Sequence, residues 1–125
     1  MKITKQLIFS GVLFILFSTS VFSQKKVVLT DEDIVSETVT KEINEVFADK
    51  DFIKKKTKKY TDVQGTMTVD IGVVENGKVS SFFKVDSEII NIDFINFMSD
   101  YILDHKFKFK LQKQQRYKIR YTITF

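Results

Sequence analysis

The strictest constraint on the fold is a period of two in hydrophobicity, which occurs twice. Over the last ten residues Tyr117, Ile119, Tyr121, Ile123 and Phe125 alternate with Arg116, Lys118, Arg120, Thr122 and Thr124. Upstream, Met67, Val69, Ile71 and Val73 alternate with Thr66, Thr68, Asp70 and Gly72. Only an extended chain sends successive side chains to opposite faces, so each run predicts a strand with one buried side and one polar side. Asn76 and Gly77 follow the earlier run, with Val79, Phe82, Phe83 and Val85 beyond them. Asn-Gly favours a two-residue type I′ turn, because both central residues need positive φ. That turn would set Glu75 against Lys78, Val74 against Val79 and Ile71 against Phe82, unless a bulge intervenes near the adjacent pair Phe82 and Phe83.

Two other segments have a helical period. Val35, Val39, Ile43, Val46 and Phe47 recur at intervals of three and four, after a Thr30 to Asp33 pattern that has the form of a capping box. Phe94, Phe97, Met98, Tyr101, Ile102 and His105 do the same after Asn91 and Asp93, both good N-cap residues. Between the first helix and the first strand, Lys54, Lys55, Lys56, Lys58 and Lys59 form a run without apolar period, read as a solvated connector. Phe107 to Gln115 reads as a polar, basic crossing anchored by Phe107 and Phe109.

The order helix, strand, strand, helix, strand fixes the topology. A helix between the second and third strands returns the chain parallel to the second, and the right-handed crossover places the third beside the first. The expected fold class is α+β: a three-stranded antiparallel sheet of order 2-1-3, helices packed on one face, and an extra N-terminal helix. The C-terminal strand then lies on an edge.

The chain's beginning reads as an export signal. Lys2 and Lys5 precede an apolar run from Leu7 to Phe17 and a small, polar stretch ending in Val21, Phe22 and Ser23. Cleavage before Gln24 is expected, giving a periplasmic or secreted product with no stable membrane anchor; an uncleaved anchor would need a longer apolar span. No cysteine is present, so neither a lipid anchor on cysteine nor a disulfide enters, and packing alone must stabilise the domain. Removing Lys2 and Lys5 lowers the net charge from +4 to +2, too little to draw in nucleic acid.

The run from Gly65 to Val73, then Val74-Glu75-Asn76-Gly77-Lys78-Val79, then Val85 and Ser87, an Asn-Ile-Asp-Phe helix start and a final strand ending in an aromatic resembles the TonB/TolA C-terminal domain superfamily. The resemblance covers residues 65–125 as a β-β-α-β unit, with residues 24–64 supplying an N-terminal helix and the basic connector after a signal at residues 1–23. It implies that an extended peptide of an envelope partner, such as an outer-membrane protein, adds to the edge strand. The residues concerned are Arg116, Tyr117, Lys118, Ile119, Arg120, Tyr121, Thr122 and Ile123. The chain contains no proline to stiffen a spacer, so an interaction module is expected rather than an energy transducer.

Other chemistries have less to work with. His105 is the only histidine, and no phosphate-binding glycine loop or serine elbow occurs, so no catalytic residue, cofactor or metal is expected. His105 reads as a packed helix residue, and Asp100 and Asp104 as a solvated turn. Two alternatives to peptide capture stand beside it. Lys54, Lys55, Lys56, Lys58 and Lys59, joined by Lys106, Lys108 and Lys110, would bind anionic envelope polymers as a basic patch. The edge strand would otherwise make a homodimer, or be guarded by its own Arg116, Lys118 and Arg120. Proline at Ile119 or Tyr121 is the substitution the sequence suggests for blocking the edge.

Overall fold

A computed structural model of the chain describes residues 26–125, so the expected signal at Met1 to Ser23 lies outside the described residues. The first elements are β1 (Val27–Leu29) and α1 (Glu32–Ala48). Asp31, rather than Thr30, caps α1: its Oδ1 accepts the amides of Asp33 at 2.8 Å and Ile34 at 3.3 Å. Thr30 follows directly on β1, and its carbonyl accepts the Tyr117 hydroxyl. Val35, Val39, Ile43 and Phe47 are buried along one side of α1, as their spacing requires.

The lysine run is a helix, α2 (Lys50–Lys59), and not a connector. Asp49 breaks the path between the helices with an extended ψ of 143° and caps α2 by accepting the Asp51 amide. Lysine is a good helix former, and Asp51 in the first turn with Lys56, Lys58 and Lys59 in the last suits the helix dipole. One buried side chain, Phe52, docks the helix, which is why no apolar period announces it.

Next come β2 (Thr66–Val73), β3 (Val79–Ser87), α3 (Ile92–Asp104), β4 (Phe109–Leu111) and β5 (Tyr117–Thr124). The main sheet has the order β3-β2-β5 and is antiparallel throughout, as expected. Met67, Val69, Ile71 and Val73 of β2 and Ile119 and Tyr121 of β5 are buried against Val35, Val39 and Ile43 of α1 and Phe94, Met98 and Ile102 of α3. An aromatic cluster extends that core, with ring centroids 4.8 Å apart for Phe47 and Phe52, 5.2 Å for Phe52 and Phe97, and 5.0 Å for Phe94 and Phe125. The residues of α1 and α2 therefore belong to the same core as the sheet.

Two local expectations change. The crossing after α3 is partly structured: β4 pairs in parallel with β1, Val27 to Phe109 through Leu29 to Leu111, burying Phe107, Phe109 and Leu111. The hairpin keeps Ile71 opposite Phe82, but Val73 rather than Val74 lies opposite Val79. Its loop is Glu75 to Gly77, closed by Val74 N–H to the Lys78 carbonyl at 3.1 Å and Gly77 N–H to the Val74 carbonyl at 2.9 Å. Only Gly77 has positive φ, 83°, so this is the longer bulged hairpin and not a type I′ turn. The reason lies downstream. The Gly77 carbonyl accepts the Phe107 amide at 2.8 Å and the Glu75 carbonyl accepts the Leu111 amide at 2.9 Å, so the loop is shaped to meet the crossing.

Candidate functional site

Among the described residues β5 pairs with β2 alone, so one side of its backbone is an edge of the sheet. Which main-chain groups face outward follows from the ladder's phase. Gly65 and Phe125 exchange both hydrogen bonds, at 3.2 and 2.9 Å, and the register then runs without a shift from Thr66–Thr124 to Val73–Tyr117. Directly bonded pairs alternate with unbonded ones. Tyr117, Ile119, Tyr121 and Ile123 therefore bond to β2, while the amides and carbonyls of Lys118, Arg120, Thr122 and Thr124 point away from the sheet.

The eight residues expected at the edge thus divide into two sets. Ile119 and Tyr121 are buried and Tyr117 and Ile123 half-buried; the Tyr121 hydroxyl donates to Asn44 Oδ1 of α1 at 2.6 Å. Burial pushes the Tyr121 phenol up to about 12. These residues hold the strand to its own fold, and proline at Ile119 or Tyr121 would break the internal ladder, so those substitutions do not isolate the edge. Lys118, Arg120 and Thr122 are the exposed set, and Arg116 precedes the strand. Their side chains share the open face with Asp70, whose carboxylate takes both Arg120 Nε at 3.0 Å and Nη2 at 3.2 Å. The guanidinium holds the Asp70 carboxyl below its ordinary range, with Lys118 adding a weaker pull. Thr66 meets Thr124 at 2.9 Å and Thr68 meets Thr122 at 3.0 Å, continuing a polar ladder along the same face. No hydrogen bond reaches the outward main-chain groups of Lys118, Arg120 or Thr122 among the described residues.

The lysines of α2 wind around the helix and do not form one patch. Lys54 is exposed, and Lys56 turns inward, donating to the Val63 carbonyl and lying 5.7 Å from the Phe125 ring centroid. Lys55, Lys58 and Lys59 line an open groove of about 900 Å³ between the helices, where Lys108 joins them. Lys106 and Lys110 are not part of its lining. Tyr60, Phe97 and Tyr101 form its aromatic wall. Six carboxylates share the groove with those four lysines: Glu42, Glu45, Asp49, Asp51, Asp100 and Asp104. Its electrostatics are mixed, and a polyanion would meet more acid than base. Asp51 accepts the Tyr101 hydroxyl at 2.8 Å and lies 3.4 Å from Lys55; the tyrosine bond, then Lys55, draws its carboxyl below the usual range.

Glu42 is the residue that pattern reading passes over. It is buried, and its Oε1 lies 2.8 Å from His105 Nε2, while both its oxygens accept the Lys108 amide at 3.2 Å. His105 caps α3 and sets its ring edge-on to Phe107 at 4.8 Å. The carboxylate thereby fastens α1 to the end of α3 and to the crossing beyond it. The available signal was positional: Glu42 lies on the stripe of Val35, Val39 and Ile43, as His105 lies on that of Met98 and Ile102, so each is the polar residue on an apolar face. Among the described residues no group of three or more His, Cys, Asp or Glu could hold a metal ion, and no helix is long and apolar enough to cross a membrane. No family model, curated protein or solved structure matches the chain.

Proposed function

We propose that this chain is an exported, non-enzymatic interaction module that captures an extended segment of an envelope protein by strand addition along β5. One observation carries the reading: Lys118, Arg120 and Thr122 turn their amides and carbonyls off the edge of the sheet, and no part of the described chain bonds to them. An added strand would satisfy those groups as β2 satisfies the other side. Each such bond contributes on the order of 1 kcal/mol net, and flanking side chains set the preference among partners. The scaffold suits the task, because Ile119 and Tyr121 are rooted in the core and fix the strand in advance, lowering the ordering cost of binding.

Thr122→Pro is the discriminating variant. It removes an outward donor while sparing the bonds to β2, and an edge strand tolerates the ring. Decapeptides selected from a random library on the wild-type protein should shift the amide resonances of Lys118, Arg120 and Thr122. Their affinity should fall about ten-fold or more in Thr122→Pro and be unaffected by the double change Lys58→Ala, Lys59→Ala. Resonance changes confined to the groove between α2 and α3, with affinity unaltered by Thr122→Pro, would refute strand addition.

A further inference from the structure

Resting on that edge reading, we infer that the segment β5 accepts alternates acidic with small apolar residues, and that a second copy of β5 is a poor partner. The charges of the edge lie at every second position. Arg116, Lys118 and Arg120 share one parity, and Lys118 and Arg120 stand on the open face with Thr122 and Thr124. Asp70 is the carboxylate opposite them on β2, and it is committed to Arg120 through two hydrogen bonds. Lys118 and Arg116 make no ion pair among the described residues. The edge therefore has an excess of positive charge that β2 does not neutralise.

Pairing with itself would double that excess. A two-fold antiparallel contact centred on Ile119 sets Lys118 directly opposite Arg120 of the second copy. Centred on Arg120, it sets the two arginines against each other. Centred on Tyr121, it moves each arginine opposite Thr122 but leaves the arginines diagonal neighbours. Like charges across a strand pair are destabilising, and opposite charges there stabilise. The registers centred on Ile119, Arg120 and Tyr121, which give the longest overlaps around the charged positions, are each penalised, whereas a strand with carboxylates opposite Arg120 and Lys118 is favoured in the same geometry.

The other face sets the intervening positions. An added strand would place its alternate side chains on the helix side, beside Tyr117 and Ile123, which are half-buried and leave apolar surface for a neighbour. Tyr117 and Tyr121 already reach Thr30 and Asn44 from that side, so room near α1 favours small β-branched residues over aromatics. Run antiparallel to β5 from Thr124 to Lys118, the preferred partner reads Thr-Val-Thr-Val-Glu-Val-Glu.

That capped heptapeptide, its glutamine counterpart and its lysine counterpart test the inference by titration on the full chain and on two variants. The glutamate peptide should bind about five- to ten-fold tighter than the glutamine peptide at low salt, with the gap closing as salt rises. Lys118→Glu should reverse the order of the glutamate and lysine peptides. Equal binding of the glutamate and glutamine peptides, with both lost in Thr122→Pro, would overturn charge selection and leave strand addition standing. A glutamate preference that survives Thr122→Pro would place the contact elsewhere and overturn both. Failure of all three peptides to bind, or a dimer in sedimentation that Thr122→Pro dissociates, would equally overturn the inference.

Discussion

Glu42 of α1 and His105 at the end of α3 each lie on an otherwise apolar helix face. A carboxylate on the buried stripe of one helix and a histidine on that of another each cost desolvation unless partnered, and they partner each other at 2.8 Å with the Lys108 amide as a third member. Glu42→Ala leaves that amide and the imidazole without an acceptor and should cost about 3 kcal/mol, with Glu42→Gln about half of that, measured by urea denaturation. The phenol of Tyr121 gives a separate signal. Its folded value, pushed up to about 12, lies above its ordinary one, so the stability it supplies is complete below about pH 10 and is lost as pH rises towards 12. Burial and the bond to Asp51 also raise the Tyr101 phenol, so spectrophotometric titration should show two tyrosines ionising late in the native protein, and Tyr121→Phe should remove the later of the two steps.

At the scale of elements, α2 depends on a single anchor. Phe52 packs between Phe47, Phe97 and Tyr101, while the remainder of the helix is mostly exposed lysine. Phe52→Ala should cost about 3 to 5 kcal/mol, and hydrogen exchange should show α2 opening ahead of the sheet. The same feature explains what the sequence could and could not reveal. Strands β2 and β5, helix α1 and helix α3 have strong periods because each covers a wide apolar face, so their positions and the order β3-β2-β5 follow from pattern and handedness. Helix α2 rests on one phenylalanine, and β1 and β4 have three residues each, too short to show any period. The edge was legible from Arg116 to Phe125. Which of its residues face outward was not, because that depends on whether Gly65 and Phe125 form a bonded or an unbonded pair.

For the whole molecule, the open face of the sheet and the covered one respond to different conditions. The Asp70 carboxyl is held down by Arg120, so its contribution is present at neutral pH and disappears as pH falls through the depressed folded value. Asp70→Asn should therefore flatten the acid limb of the stability profile between about pH 5 and pH 2, while leaving unchanged the alkaline limb, to which Tyr121 and Tyr101 contribute. A melting series carried from the acid limb to about pH 12 with Asp70→Asn and Tyr121→Phe separates the two faces.

A hairpin turn ordinarily closes on its immediate neighbours and can form early and alone. Here the carbonyls of Glu75 and Gly77 are occupied by amides some thirty residues downstream, and a methyl group at Gly77 would collide with the Phe109 carbonyl oxygen. The tip of the hairpin is therefore held by the segment after α3 as well as by its own two local hydrogen bonds. A spectroscopic label at Glu75 should accordingly report the docking of that distant segment, although it sits in what looks like the most local element of the chain.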